Sequence, residues 1–144
     1  METKKALRII FLLMLVACIC YIFDTTVISR KVGESVGYNL HPFWSYKAIQ
    51  EGDEGLLIQN VLNVLIFVPV GLLFGLSFRS AKWWHALLVG LALSCSIELL
   101  QYLLHRGFAE FDDVFHNVLG CLVGFGMVIV GKLCVKRVRQ LRQK

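Results

Sequence analysis

The chain has 144 residues, 57% of them hydrophobic and 17% charged, with a formal net charge of +5. With a mean hydropathy of +0.67, this length fits one small helical membrane domain and leaves no room for a second. The cations flank apolar runs, so nucleic-acid binding is not expected, and the five cysteines (Cys18, Cys20, Cys95, Cys121, Cys134) lack CxxC spacing and read as apolar packing residues.

Four apolar runs are long enough to cross a bilayer, at about 7–28, 56–78, 83–104 and 113–134, against a requirement of about 20 residues. The expected fold class is therefore all-α, an integral membrane bundle of four transmembrane helices. The first run has the basic start of a signal peptide, and Leu15-Val16-Ala17-Cys18 resembles a lipoprotein cleavage box. Its apolar sequence continues through Ile19 to Phe23, which favours a retained helix. The following loop, 29–55, contains Asn39-Leu40-His41-Pro42-Phe43-Trp44-Ser45-Tyr46. Aromatics beside proline predict an extended interfacial segment, either an aromatic belt or a lid over the bundle mouth.

In the second run Pro69 removes the hydrogen bond to the Leu65 carbonyl and predicts a bend. Gly71 and Gly75 form a GxxxG pair, as Gly120 and Gly124 do in the fourth run. The third run carries Ser94, Glu98, Gln101 and His105 at i, i+4, i+7 and i+11, one stripe of one helix. After a short loop from Arg106 to Asp112, the residues Asp113, His116, Asn117, Gly120 and Gly124 repeat that spacing.

Cation asymmetry sets the expected orientation. Lys4, Lys5, Arg8, Arg79, Lys82, Lys132, Lys136, Arg137, Arg139, Arg142 and Lys144 fall on one side, against Arg30, Lys31, Lys47 and Arg106 on the other. The protein is thus expected in the cell membrane as a multi-pass chain with both termini cytoplasmic. The outward side collects Glu34, Glu51, Asp53, Glu54, Glu110, Asp112 and Asp113. At about 1.5 Å per residue, Glu98 lies roughly 9 Å and Asn63 roughly 10 Å below the outer ends of their helices, with Asn117 and Asp24 at about 6 Å. Four helices would place polar groups in one outward-facing layer, facing one another or a water-filled pocket.

The candidate binding residues are Asn63, Glu98, Gln101, Arg106, Asp112, Asp113 and Asn117, and the candidate catalytic residues are Glu98 and Asp113. Glu98 can serve as a general base. Glu98, Asp112 and Asp113 with Gln101 and Asn117 offer oxygen ligands for a hard cation, but no ordered ligand spacing accompanies them. His105 and His116 lack an HExxH pattern. No metal or cofactor is therefore expected. The alternative is a structural network in which Glu98 and Gln101 face Asp113 and Asn117, Arg106 neutralises a carboxylate, and Asp112 caps the start of the fourth helix.

Three blocks resemble the VanZ-like family of bacterial membrane proteins. Asn63-Val-Leu-Ile-Phe67-Val-Pro69-Val-Gly71 is similar to its N-x-x-x-F-x-P-x-G block, and Ile97-Glu98-Leu-Leu-Gln101 to its I-E-x-x-Q block. Arg106 followed by Asp112-Asp113-Val-Phe-His-Asn117-Val-Leu-Gly120 resembles R…D-D-x-x-x-N-x-x-G, and Asn39 with Pro42-Phe43 a looser N-x-x-P-F element. The resemblance implies a link to reduced susceptibility to teicoplanin, a glycopeptide with a fatty acyl tail, and little effect on vancomycin, which lacks the tail. It brings no agreed reaction and no catalytic residues. The first reading is a non-enzymatic membrane factor whose partners are membrane lipids and a lipoglycopeptide or lipid-linked wall precursor. The alternatives are an embedded enzyme acting on an envelope lipid, with Glu98 as base and Asp113 and Asn117 orienting the substrate, and a small oligomeric transporter.

Overall fold

Long apolar runs in lipid must satisfy their backbone groups internally, which leaves the helix as the solution for a chain without barrel patterning. The computed structural model describes residues 2–33 and 37–143. Helix α1 (Glu2–Phe23) runs into a π-helical turn, Asp24–Ile28. Then come β1 (Gly37–Asn39), α2 (Trp44–Gln50), α3 (Glu54–Ser77), α4 (Trp83–Leu103), β2 (Phe108–Glu110) and α5 (Phe111–Leu141). Four segments are long and apolar enough to cross a membrane: Glu2–Ile28, Glu54–Ser77, Trp83–Leu103 and Phe111–Leu141. The four-helix expectation therefore holds. Two of the charges counted for orientation, Glu34 and Lys144, lie outside the described residues.

The π turn at the end of α1 has a local cause. Thr25 Oγ1 donates to the Tyr21 carbonyl at 2.9 Å and Thr26 Oγ1 to the Ile22 carbonyl at 2.7 Å, competing with the backbone ladder. At 31 residues α5 is about 46 Å long, beyond the roughly 30 Å of a hydrocarbon core, so its basic end projects past the span. Pro69 lies inside α3, which continues through it to Ser77.

The two GxxxG pairs meet each other. A Cβ on Gly71 would overlap the Cys121 carbonyl oxygen, one on Gly120 the Val64 carbonyl oxygen, and one on Gly124 the Val68 carbonyl oxygen. Only hydrogen at these positions lets the backbones of α3 and α5 touch. Around this pair sit Leu15 and Ile22 of α1, Phe67, Val70 and Leu73 of α3, Ala86 and Ile97 of α4, and Cys121 and Phe125 of α5. All five cysteines are free, and the buried Cys121 thiol donates to the Ala86 carbonyl at 3.4 Å.

Strands β1 and β2 pair in parallel, with Gly37 opposite Phe108, Tyr38 opposite Ala109 and Asn39 opposite Glu110. They join the loop after the first span to the loop before the last. The segment expected to be extended at 39–46 instead starts α2 at Trp44, where the Asp112 carboxylate accepts from the Ser45 N–H.

Candidate functional site

The polar stripe of α4 is real but shorter than its spacing predicts. Ser94, Glu98 and Gln101 are buried. The helix then ends in a Schellman arrangement: Arg106 N–H donates to the Gln101 carbonyl at 2.8 Å and His105 N–H to the Tyr102 carbonyl at 3.2 Å. His105 takes the left-handed C′ position at φ 54°, so its side chain leaves the stripe and is exposed. Arg106 also departs from expectation. Its Nη1 donates to the carbonyls of Val27 at 3.1 Å, Arg30 at 3.2 Å and also Ile28, not to a carboxylate. Carbonyls freed at the end of the first span need donors, and a cation there is favoured.

Asp112 acts as a cap, but for a different helix. Its carboxylate, fully buried, accepts from Phe43 N–H at 2.6 Å, Ser45 N–H at 2.9 Å and Ser45 Oγ–H at 2.6 Å, at the N-cap and second residue of α2. Its own helix begins after Glu110, with no side-chain cap. Asn60 Nδ2 donates to Ser45 Oγ at 3.0 Å. His116 Nδ1 lies 2.6 Å from the Asp112 carbonyl oxygen and Nε2 lies 2.9 Å from the Tyr46 hydroxyl, with the two rings stacked. Phe43 is held at φ 62°, its ring edge-on to Phe111 and Phe115. The 43–46 segment is thus clamped by α5.

Behind this clamp lies a cavity of about 80 Å³ lined by Thr26, Arg30, Asn63, Glu98, Gln101, Asp113 and Asn117, with Leu62, Ile66, Phe67 and Ile97 completing the wall. Each of the four spans or its flank contributes a polar residue. Glu98 Oε2 accepts from Glu110 N–H at 3.0 Å. Both Asp113 oxygens accept from Gln59 Nε2, at 3.3 and 3.4 Å. Gln101 Nε2 donates to the Thr26 carbonyl at 2.9 Å, and Asn117 Nδ2 to Ser94 Oγ at 2.8 Å. Three buried atoms on this wall have no protein partner: Asn63 Nδ2, Gln101 Oε1 and Asn117 Oδ1. The cavity therefore offers one donor and two acceptors beside two carboxylates and a guanidinium. At about 30 Å³ per water it holds two or three waters.

The rim beside β2 is electrostatically crowded. Glu110, half-buried in β2, is pushed up to about 7 by burial first and then by the charges of Asp113 and Asp112, while Arg30 pulls it back. Among the described residues, no group of three or more His, Cys, Asp or Glu side chains is placed to hold a metal ion.

Of the candidate residues, Asn63, Glu98, Gln101, Asp113 and Asn117 share the cavity, whereas Arg106 and Asp112 hold its walls. Asp24, placed in the same layer by depth, is exposed and accepts from Ser29 Oγ at 3.4 Å. It stands two residues before the cavity-lining Thr26 and so points away from the bundle. Arg30, Thr26 and Gln59 join the site without having been singled out. Gln59 lies four residues before Asn63 on the same helix face, a signal that was present in the spacing.

A model of the VanZ/LLP1 family matches residues 9–133, which takes in every cavity-lining residue. The chain is 24% identical to Protein VanZ of Enterococcus faecium over 121 residues, 84% of this chain and 70% of that protein. No solved structure matches.

Proposed function

The chain belongs to the VanZ/LLP1 family, and we propose that it is a membrane factor that lowers susceptibility to teicoplanin-type lipoglycopeptides through the polar cavity at the outward end of the bundle. One observation carries the reading: three buried amide atoms stand unpartnered around one cavity. Such groups cost about 1–3 kcal/mol each when left unsatisfied, so they call for water or for a ligand's polar group. The small volume limits what enters to a single carboxylate-, amine- or hydroxyl-sized group, so the drug as a whole stays outside. The distribution of cations supports an outward cavity with both termini cytoplasmic. The drug class rests on the likeness to Protein VanZ.

A second reading, an embedded enzyme acting on a lipid-linked envelope substrate, is favoured by the shared cavity of Glu98 and Asp113. There Glu98 would take a proton and Asp113 would orient the substrate.

The test is the inhibitory concentration of teicoplanin and of vancomycin for a susceptible host expressing wild type, Glu98→Gln or Gln101→Leu, at matched membrane abundance. Wild type should raise the teicoplanin value and leave vancomycin nearly unchanged, and both variants should lose the effect. Protection retained by both variants would move the site away from the cavity. No protection by wild type would remove the drug reading, and loss in Glu98→Gln with retention in Gln101→Leu would favour the enzyme.

A further inference from the structure

The opposite end of the bundle carries a second concave feature. The antiparallel order of the four spans brings the start of α1, the end of α3, the start of α4 and the end of α5 to one side. Between the last turns of α3 and the extension of α5 runs an open groove of about 860 Å³. Its floor is apolar where the two helices still pack, with Leu72, Leu76, Met127 and Val128. Its far part is cationic, with Arg79, Lys132, Lys136 and Arg139, and no acidic side chain among the described residues lines it. Lys132 Nζ donates to the Gly75 carbonyl at 3.2 Å, which fixes the boundary between the two parts. Arg79, Lys136 and Arg139 are exposed and make no ion pair among the described residues.

We propose that this groove binds one anionic phospholipid of the leaflet at this end, with the phosphate headgroup between Arg79, Lys136 and Arg139 and the acyl chains along Leu72, Leu76 and Met127. The order of surfaces matches such a lipid: apolar within the span, cationic just beyond it. Cations at this level attract acidic headgroups, each by about fivefold in affinity. Setting topology alone requires cations but no groove, and Lys4, Lys5 and Arg137 supply such charge outside it. The α5 extension has a role on this reading, because a helix stopped at the bilayer edge would leave Lys136 and Arg139 out of the site.

The purified full chain in neutral detergent is titrated with phosphatidylglycerol, phosphatidylcholine or inorganic phosphate while its unfolding midpoint is followed. Phosphatidylglycerol should raise the midpoint saturably, and the other two should not. Arg79→Gln/Lys136→Gln/Arg139→Gln should weaken the apparent affinity roughly a hundredfold, about fivefold per cation. The equal-charge control Lys4→Gln/Lys5→Gln/Arg137→Gln should stay within about threefold of wild type, well under one cation's effect per site. Equal response to phosphatidylcholine, full response to phosphate alone, or equal loss in the control would each overturn the site. Native mass spectrometry of wild type tests it without a variant: one phosphatidylglycerol should outlast all others, and a smooth series of bound lipids with no preferred first one refutes the proposal.

Discussion

Asp112 gathers three hydrogen bonds from a segment 67–69 residues earlier in the chain, and its replacement is the most informative single change at the residue scale. Asp112→Asn keeps the shape but loses the charge that strengthens these bonds, and should cost roughly 3 kcal/mol. Hydrogen exchange should then quicken over 43–50 while the spans stay protected. Asp24→Asn, at an exposed position, should change stability by no more than about 0.5 kcal/mol. Glu110 sets a pH dependence. Its folded value of about 7 stands above the ordinary 4.5, so folding favours its protonated form. Its contribution is fully present below about 4.5, fades as pH rises to about 7, and is absent above that. Glu110→Gln should therefore raise the unfolding midpoint at pH 8 more than at pH 5. The stripe of Ser94, Glu98 and Gln101 was legible in the spacing because burial follows helical phase. The targets of Asp112 and Arg106 were not, because all but the Ser45 hydroxyl are backbone groups far off in sequence, and backbone groups carry no letter.

At the scale of elements, the contact between α3 and α5 depends on glycine at the crossing. Gly120→Leu places a side chain against the Val64 carbonyl and should sharply reduce the folded membrane pool, read by blot and by size-exclusion profile. Gly126 and Gly131 sit on the same helix with open space around them. Gly126→Ala should be tolerated and should gain up to about 1 kcal/mol from helix propensity. Four spans were legible because about 20 apolar residues have few other folds available to them. The three-residue strands and the seven-residue α2 were not. They are too short to show a period, and their stability comes from Asp112, His116 and the strand partner rather than from local preference.

For the whole molecule, orientation decides which solution each site meets. In a background with Cys20, Cys95 and Cys134 changed to Ala, His41→Cys should react with an impermeant maleimide in intact cells, and Arg139→Cys only after permeabilisation. The reverse pattern would invert the protein and put the polar cavity at the cytoplasmic face. The parallel pairing of β1 with β2 also has a consequence for biosynthesis. Residues 37–39 pair with 108–110, and 43–45 are held by Asp112. A nascent chain can close neither contact until the last span has begun to emerge. At 5–20 residues per second, the roughly 70 intervening residues take about 4–14 s to make. During that interval the loop after the first span lacks both of its contacts with the end of the chain. Its closure therefore follows the synthesis of β2 and of the first turn of α5, and a chain cut before β2 should expose residues 37–45 to added protease.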